Sequence, residues 1–125
     1  MPFRPLPYVF EFASNLKADP KRVMTFHLDP KNIARVSPWW IQILALESPE
    51  RIVQGSKIRL KVRSLGLPQS WEVTVAEVVD FSGSPAKASL VDVAEKGPFP
   101  YWRHLHELWA APDGTTGLVV RIEFL

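Results

Sequence analysis

From Trp39 onward the chain alternates apolar and polar side chains with a period of two. Lys57-Ile58-Arg59-Leu60-Lys61-Val62-Arg63 is the cleanest case. Successive side chains of a strand point to opposite faces, so Ile58, Leu60 and Val62 must meet a core while four basic groups face away. Trp71 to Asp80 sets Trp71, Val73 and Val75 against Glu72 and Thr74. Ala88 to Glu95 and Phe99 to Ala110 predict two further strands. Gly117 to Leu125 predicts a last one, with Leu118, Val120, Ile122 and Phe124 on one face. Ile41, Ile43 and Ala45 alternate with Gln42, Leu44 and Leu46, a pattern expected of a strand buried on both faces. Near the start, Tyr8 to Ser14 places Tyr8, Phe10 and Phe12 opposite Val9 and Glu11, giving a first strand. Clusters of Gly, Pro and Ser at Glu50–Gly55, Gly66–Ser70, Ser82–Pro85 and Pro112–Gly114 mark the turns.

Between the first strand and Trp39 the period is helical. Asp19-Pro20 and Asp29-Pro30 each put a capping acid before a proline at the first helical position. One helix is expected over about Pro20 to His27, turning Val23, Met24 and Phe26 partly inward. A second, over about Pro30 to Val36, carries Ile33 and Val36 at helical spacing and stops before Pro38. Seven strands with two short helices after the first predict an α+β domain, one curved antiparallel sheet whose apolar face must be covered.

The stretch Gly97-Pro98-Phe99-Pro100-Tyr101-Trp102-Arg103-His104-Leu105-His106-Glu107-Leu108 carries the most chemistry. On a strand it aligns Trp102, His104, His106 and Leu108 on one face. With the preceding Leu90-Val91-Asp92 and the following Asp113-Gly114-Thr115, it resembles the SRPBCC superfamily. The similarity is to bacterial ligand-binding members often labelled cell-division-inhibitor-like or polyketide-cyclase-like. There a G-P-F-x-x-W-x-H-x-H strand follows an F-V-D strand and precedes a D-G-T hairpin turn. The resemblance spans about Tyr8 to Leu125. It implies the START-like, helix-grip fold, and for Trp102, His104 and His106 a place lining a pocket or its entrance. The fold's usual long C-terminal helix would begin where this sequence stops, so that helix is expected to be absent, leaving the concave face without its usual lid.

Composition narrows the class. A chain of 125 residues fits a single domain, residues 1–125, able to bury roughly two-thirds of its unfolded surface. A hydrophobic content of 46% and a formal charge of +2 describe an ordinary globular protein, with too little charge to argue for nucleic acid. Without cysteine there is no disulfide, thiolate nucleophile or Cys-based zinc site. Met1-Pro2-Phe3-Arg4-Pro5 lacks the apolar core of a signal peptide, and no apolar run suits a membrane span. A cytoplasmic protein with no membrane insertion is expected. The Lys57, Arg59, Lys61, Arg63 stripe has no interleaved aromatics, which favours a solvated outer face over a nucleic-acid surface.

Two imidazoles two residues apart can share a metal ion, with Asp92 or His27 to supply a third ligand. No H-E-x-x-H or comparable pattern supports this, so no metal and no cofactor is expected. Asp92 lies in an apolar strand and needs a partner among Arg103, His104 and His106. A sheet-fixing ion pair is the expectation. An acid–base role for Asp92, His104 and His106 is the catalytic alternative. No serine elbow or glycine-rich phosphate loop completes an enzyme. Five tryptophans suit pockets and contacts, with one of Trp39 and Trp40 turned in and the other out.

The expected function is binding of a lipid- or polyketide-like molecule, hydrophobic or aromatic, without catalysis. The expected lining is Phe10, Phe12, Leu60, Trp71, Val73, Trp102, His104, His106, Leu118, Val120 and Ile122. The alternatives are a cyclase or dehydratase acting on a polyketide-like substrate, and a protein-interaction domain using the open face. An uncovered apolar face also predicts a homodimer, through that face or the Trp39-Trp40 and Trp109 rims.

Overall fold

A computed structural model describes residues 6–36 and 40–125. Seven strands form one antiparallel sheet: β1 (Tyr8–Leu16), β2 (Ile41–Glu47), β3 (Lys57–Ser64), β4 (Leu67–Ser82), β5 (Lys87–Lys96), β6 (Trp102–Ala110) and β7 (Thr116–Phe124). Their spatial order is β1-β7-β6-β5-β4-β3-β2. Strands β2 to β7 are thus a meander of sequential neighbours, and only β1 crosses to pair with the far end of the chain.

Between β1 and β2 lie helix α1 (Pro20–His27), a 3-10 turn (Pro30–Asn32) and the short helix α2 (Ile33–Val36). Both expected caps form. The Asp19 carboxylate accepts from Arg22 N at 3.3 Å and the Asp29 carboxylate from Lys31 N at 3.0 Å, each ahead of its proline. Helix α1 lies on one face of the sheet, which we call concave. Val23, Met24 and Leu28 are buried there with Ile52, Ile58, Val75, Ala88, Leu90, Leu108, Leu118 and Val120.

The period-two reading of β3 and β7 holds. Ile58, Val62, Leu118 and Val120 are buried, Leu60 and Ile122 pack against them, and Lys57, Arg59 and Lys61 are exposed. Opposite charges occupy the other, convex face. Arg121 Nε meets Glu123 Oε1 at 3.0 Å, and Lys87 Nζ meets Glu107 Oε2 at 3.1 Å. Lys87 also lies 5.2 Å from the ring of Trp109, which therefore belongs to the convex side.

Several expectations need correction. Phe26 is exposed, and Leu28, one residue beyond α1, takes the buried place. Strand β2 is not buried on both faces: it is a sheet edge, a bulge interrupts it between Ile43 and Ala45, and Leu44 is exposed. The Gly66–Ser70 turn is shorter than expected, since β4 begins at Leu67 after Leu65 and Gly66, both with positive φ. Trp40 is exposed, whereas residues 37–39 and the side chain of Val36 lie outside the described residues.

Two ties fix α1 over the sheet. Ile52 N donates to Leu28 O at 2.8 Å, joining the β2–β3 loop to the helix end. That loop reaches β4 through Gly55 N to Val75 O (2.7 Å) and Val75 N to Ser56 O (2.8 Å), beside the β4 bulge between Val75 and Glu77. At the helix start, buried Thr116 donates its hydroxyl to Ala18 O at 2.8 Å.

Candidate functional site

Register assembles the site. Trp102, His104 and His106 of β6 face Phe124, Ile122 and Val120 across β7. On the other side, Asp92 of β5 stands directly opposite His104, and Leu90 opposite His106. Directly opposed residues of an antiparallel pair share a face, so the carboxyl and both rings project to the concave side. The last turn of α1 brings a third ring. His27 lies edge-on to His106 with centroids 4.9 Å apart. Its Nδ1 is 2.8 Å from Val23 O; a carbonyl only accepts, so Nδ1 carries a hydrogen and donates it there.

An aromatic wall continues from the imidazoles. His104 and His106 have centroids 4.2 Å apart, and Trp102 follows at 6.3 Å from His104. Phe99 stacks on Trp102 at 5.4 Å, Trp71 meets it edge-on at 5.1 Å, and Phe124 meets Phe99 at 5.3 Å. Offset and edge-on contacts at these distances are those aromatic quadrupoles favour. Gly97 permits the packing, because a Cβ there would stand 3.1 Å from the Trp71 ring.

Charge is suppressed at the polar end. Burial pushes the Asp92 carboxyl up to about 7. Burial, with the nearby His27, pulls His104 down to about 4. His106 is driven lower still by burial, then by His104 and His27. The expected partner of Asp92 is therefore present, with His104 Nδ1 3.6 Å from Asp92 Oδ2. The expected ion pair is not, since near neutrality the ring is uncharged. At 3.6 Å the contact is also too long for a hydrogen bond. His106 Nδ1 is buried with no partner. Among the described residues, Asp92, His104 and His106 form a group whose ligand atoms all lie within 4.8 Å of one another, close enough to hold a metal ion.

The expected lining residues all lie on the concave face but are not equivalent. Leu118 and Val120 are buried beneath α1, and Leu60, Val73 and Ile122 pack against the same core. Trp71, Trp102, His104 and His106 form the partly open wall. Phe10 and Phe12 on edge strand β1 are far more open, at 56% and 47% exposure. Three wall residues were not among those expected: His27, Phe99 and Phe124. Phe124 was legible as the next residue in the β7 alternation, whereas nothing local in the sequence brings His27 to His106. Two surface depressions, of about 360 and 240 Å³, lie away from this wall. One is on the outer side of α1 around Arg22 and Phe26, the other between Trp40 and Leu65.

The sheet and its helices superpose on solved structures over almost their full extent. A START superfamily protein from Mycobacterium smegmatis matches with a TM-score of 0.67 at 17% identity, covering 94% of this chain and 76% of that one. The chain has the START-like, helix-grip fold. The Zhui aromatase/cyclase from Streptomyces sp. R1128 matches this START-like sheet equally, with a TM-score of 0.67 at 17% identity over 95% and 68% of the two chains. Ginseng major latex-like protein 151 from Panax ginseng matches at 0.63 and 13% identity, over 97% and 82%. At such identities the likeness is one of fold. No protein-family model matches the chain, nor does any curated protein. No described helix is long and apolar enough to cross a membrane.

Proposed function

We propose that the protein binds a hydrophobic or aromatic small molecule, lipid- or polyketide-like, against the concave face, without catalysing a reaction. The observation that carries this reading is the Trp71–Phe99–Trp102–Phe124 cluster running directly into the Asp92–His104–His106 group. A broad apolar wall with a few polar groups at one end is the usual make-up of a small-molecule site. Relatives in fold include a START superfamily protein and an aromatase/cyclase, which accords with such a ligand. Titration with a tricyclic aromatic and with a fatty acid, read by tryptophan quenching, tests it. Saturable binding is expected with at least one of them, and Trp102→Ala should weaken it at least ~10-fold by removing the stacked ring. Trp109→Phe on the convex face should leave it unchanged. Equal affinity in the Trp102 variant would remove the basis of the proposal.

One observation favours a second reading, a cyclase- or dehydratase-type enzyme. Asp92, with a carboxyl pushed up to about 7, lies 3.6 Å from a neutral His104. An acid or base works best at neutral pH when its own value lies near 7, which burial gives Asp92 but denies His104, pulled down to about 4. His104→Ala distinguishes the readings: turnover lost with ligand affinity kept indicates the enzyme.

The exposed strip of β1 supports the homodimer. Tyr8, Phe10 and Phe12 share one face of an edge strand, at 69%, 56% and 47% exposure. Contiguous aromatic surface of this kind is commonly covered by a second copy. Sedimentation equilibrium at micromolar concentration should give twice the 14.2 kDa chain mass, falling to one chain in Phe10→Glu. A wild-type chain sedimenting as a monomer would dispose of the dimer.

A further inference from the structure

We propose that Asp92, His104 and His106 form a binding site for one first-row divalent transition-metal cation of the zinc or iron(II) class. This goes beyond the ligand-binding reading and does not depend on it. Strand spacing supplies two ligands, His104 and His106, while the absence of an H-E-x-x-H or comparable pattern argues against a metal from sequence alone. Of the two third ligands the sequence offers, Asp92 and His27, pairing register selects Asp92 by setting it directly across from His104.

The distances fit a shared ion. Two ligands held at metal bonds of ~2.0–2.1 Å in tetrahedral geometry stand roughly 3.4 Å apart. Asp92 Oδ2 and His104 Nδ1 stand 3.6 Å apart, too far to hydrogen-bond yet within a few tenths of that span. All three ligand atoms lie within 4.8 Å of one another.

A second observation points the same way independently. His106 Nδ1 is buried and meets no hydrogen-bond partner. Leaving a buried polar nitrogen unsatisfied is costly, and coordination is one way to relieve that cost. Beside it, His27 Nδ1 is anchored on Val23 O at 2.8 Å, 4.9 Å from His106 ring to ring. A ring nitrogen donating to a backbone carbonyl fixes the orientation of that imidazole. His27 is not among the three residues whose ligand atoms come together, so its ring packs beside the site. The donor set, imidazole nitrogens with one carboxylate oxygen, suits zinc, iron(II) or cobalt(II), whereas calcium and magnesium prefer oxygen alone.

The test uses untagged chain, stripped with chelator and titrated with zinc chloride by calorimetry, and with cobalt(II) by visible absorption. The expected result is one equivalent bound at micromolar or tighter affinity, a raised melting temperature, and cobalt bands from nitrogen and oxygen ligation. Asp92→Asn and His106→Gln, each confirmed folded by circular dichroism, should each weaken zinc binding at least ~10-fold. Failure to bind either ion at stoichiometric concentration would overturn the proposal. So would unchanged affinity in both variants, or displacement of zinc by millimolar magnesium, since either places the ion elsewhere.

Discussion

Acidified from pH 6.5 to 4, the metal-free protein will lose about 3 kcal/mol of folding stability through the partly buried Asp92, His104 and His106. His104 has an ordinary value of 6.5 in the unfolded chain but about 4 when folded, and His106 is displaced further in the same direction. Between these limits the unfolded state binds two protons that the folded state refuses, so both rings make stability fall with falling pH. Asp92 works oppositely. Its carboxyl is held near 7 in the fold against 3.8 unfolded, so the folded state binds one proton more, and that contribution grows as pH falls. Two against one leaves a net proton, or about 1.4 kcal/mol per pH unit. Above pH 7 the three groups together contribute no slope. Asp92→Asn removes the opposing group, so its stability should fall about twice as steeply with acid. At pH 8 the same variant should be more stable than the parent, having no buried carboxylate left without a donor. Urea denaturation at pH 8, 6.5, 5.5 and 4.5 measures both curves. Parallel curves for parent and variant would mean Asp92 is solvated.

Leu108→Ala should cost about 3–4 kcal/mol, the largest loss expected from any single truncation on the concave face. Leu108 has 0% exposure and stands in register between Ala88 on β5 and Leu118 on β7. Its neighbour Ala88 is too small to fill the void, and the backbone ladders on both sides prevent collapse of the sheet. A loss of that size lowers the melting temperature by roughly 10–20 °C in a domain of this length. Leu105→Ala, on the convex face of the same strand, provides the comparison and should cost less, because Leu105 is only partly buried. Equal losses at the two positions would mean that α1 does not cap Leu108 as described.

Where two faces differ in polarity, the sequence announced the structure. Lys57–Ser64 and Thr116–Phe124 read correctly because every second residue meets either the core or solvent. The site was legible to the same degree: alternation alone aligned Trp102 with His104 and His106. Elements made by long-range contact were not legible. Nothing in Ser48 to Ser56 announces that Ile52 will be buried and bonded to Leu28, or that the loop will meet β4 at a bulge. The approach of His27 to His106 is likewise a contact between residues far apart in sequence. The charge state of Asp92 was misread because spacing reveals a partner but not how completely neighbouring rings and side chains exclude water. Phe10 and Phe12 alternate like core residues, yet β1 lies at a sheet edge beyond the reach of α1.

The pairing of β1 with β7, Tyr8 opposite Phe124, also sets an order of events during synthesis. Each strand from β2 to β6 can add to a neighbour made moments before or after it. Strand β1 cannot, because its partner β7 is translated after every other strand of this sheet. At ~5–20 residues per second, the aromatic strip of Tyr8, Phe10 and Phe12 stays without its partner for on the order of ten seconds. Contacts of such long sequence separation form late and slowly. The nascent chain therefore passes through a stage in which an apolar strand with free backbone edges is open to other chains. Glu11, facing away from those aromatics, is the charge within that strand that opposes such association.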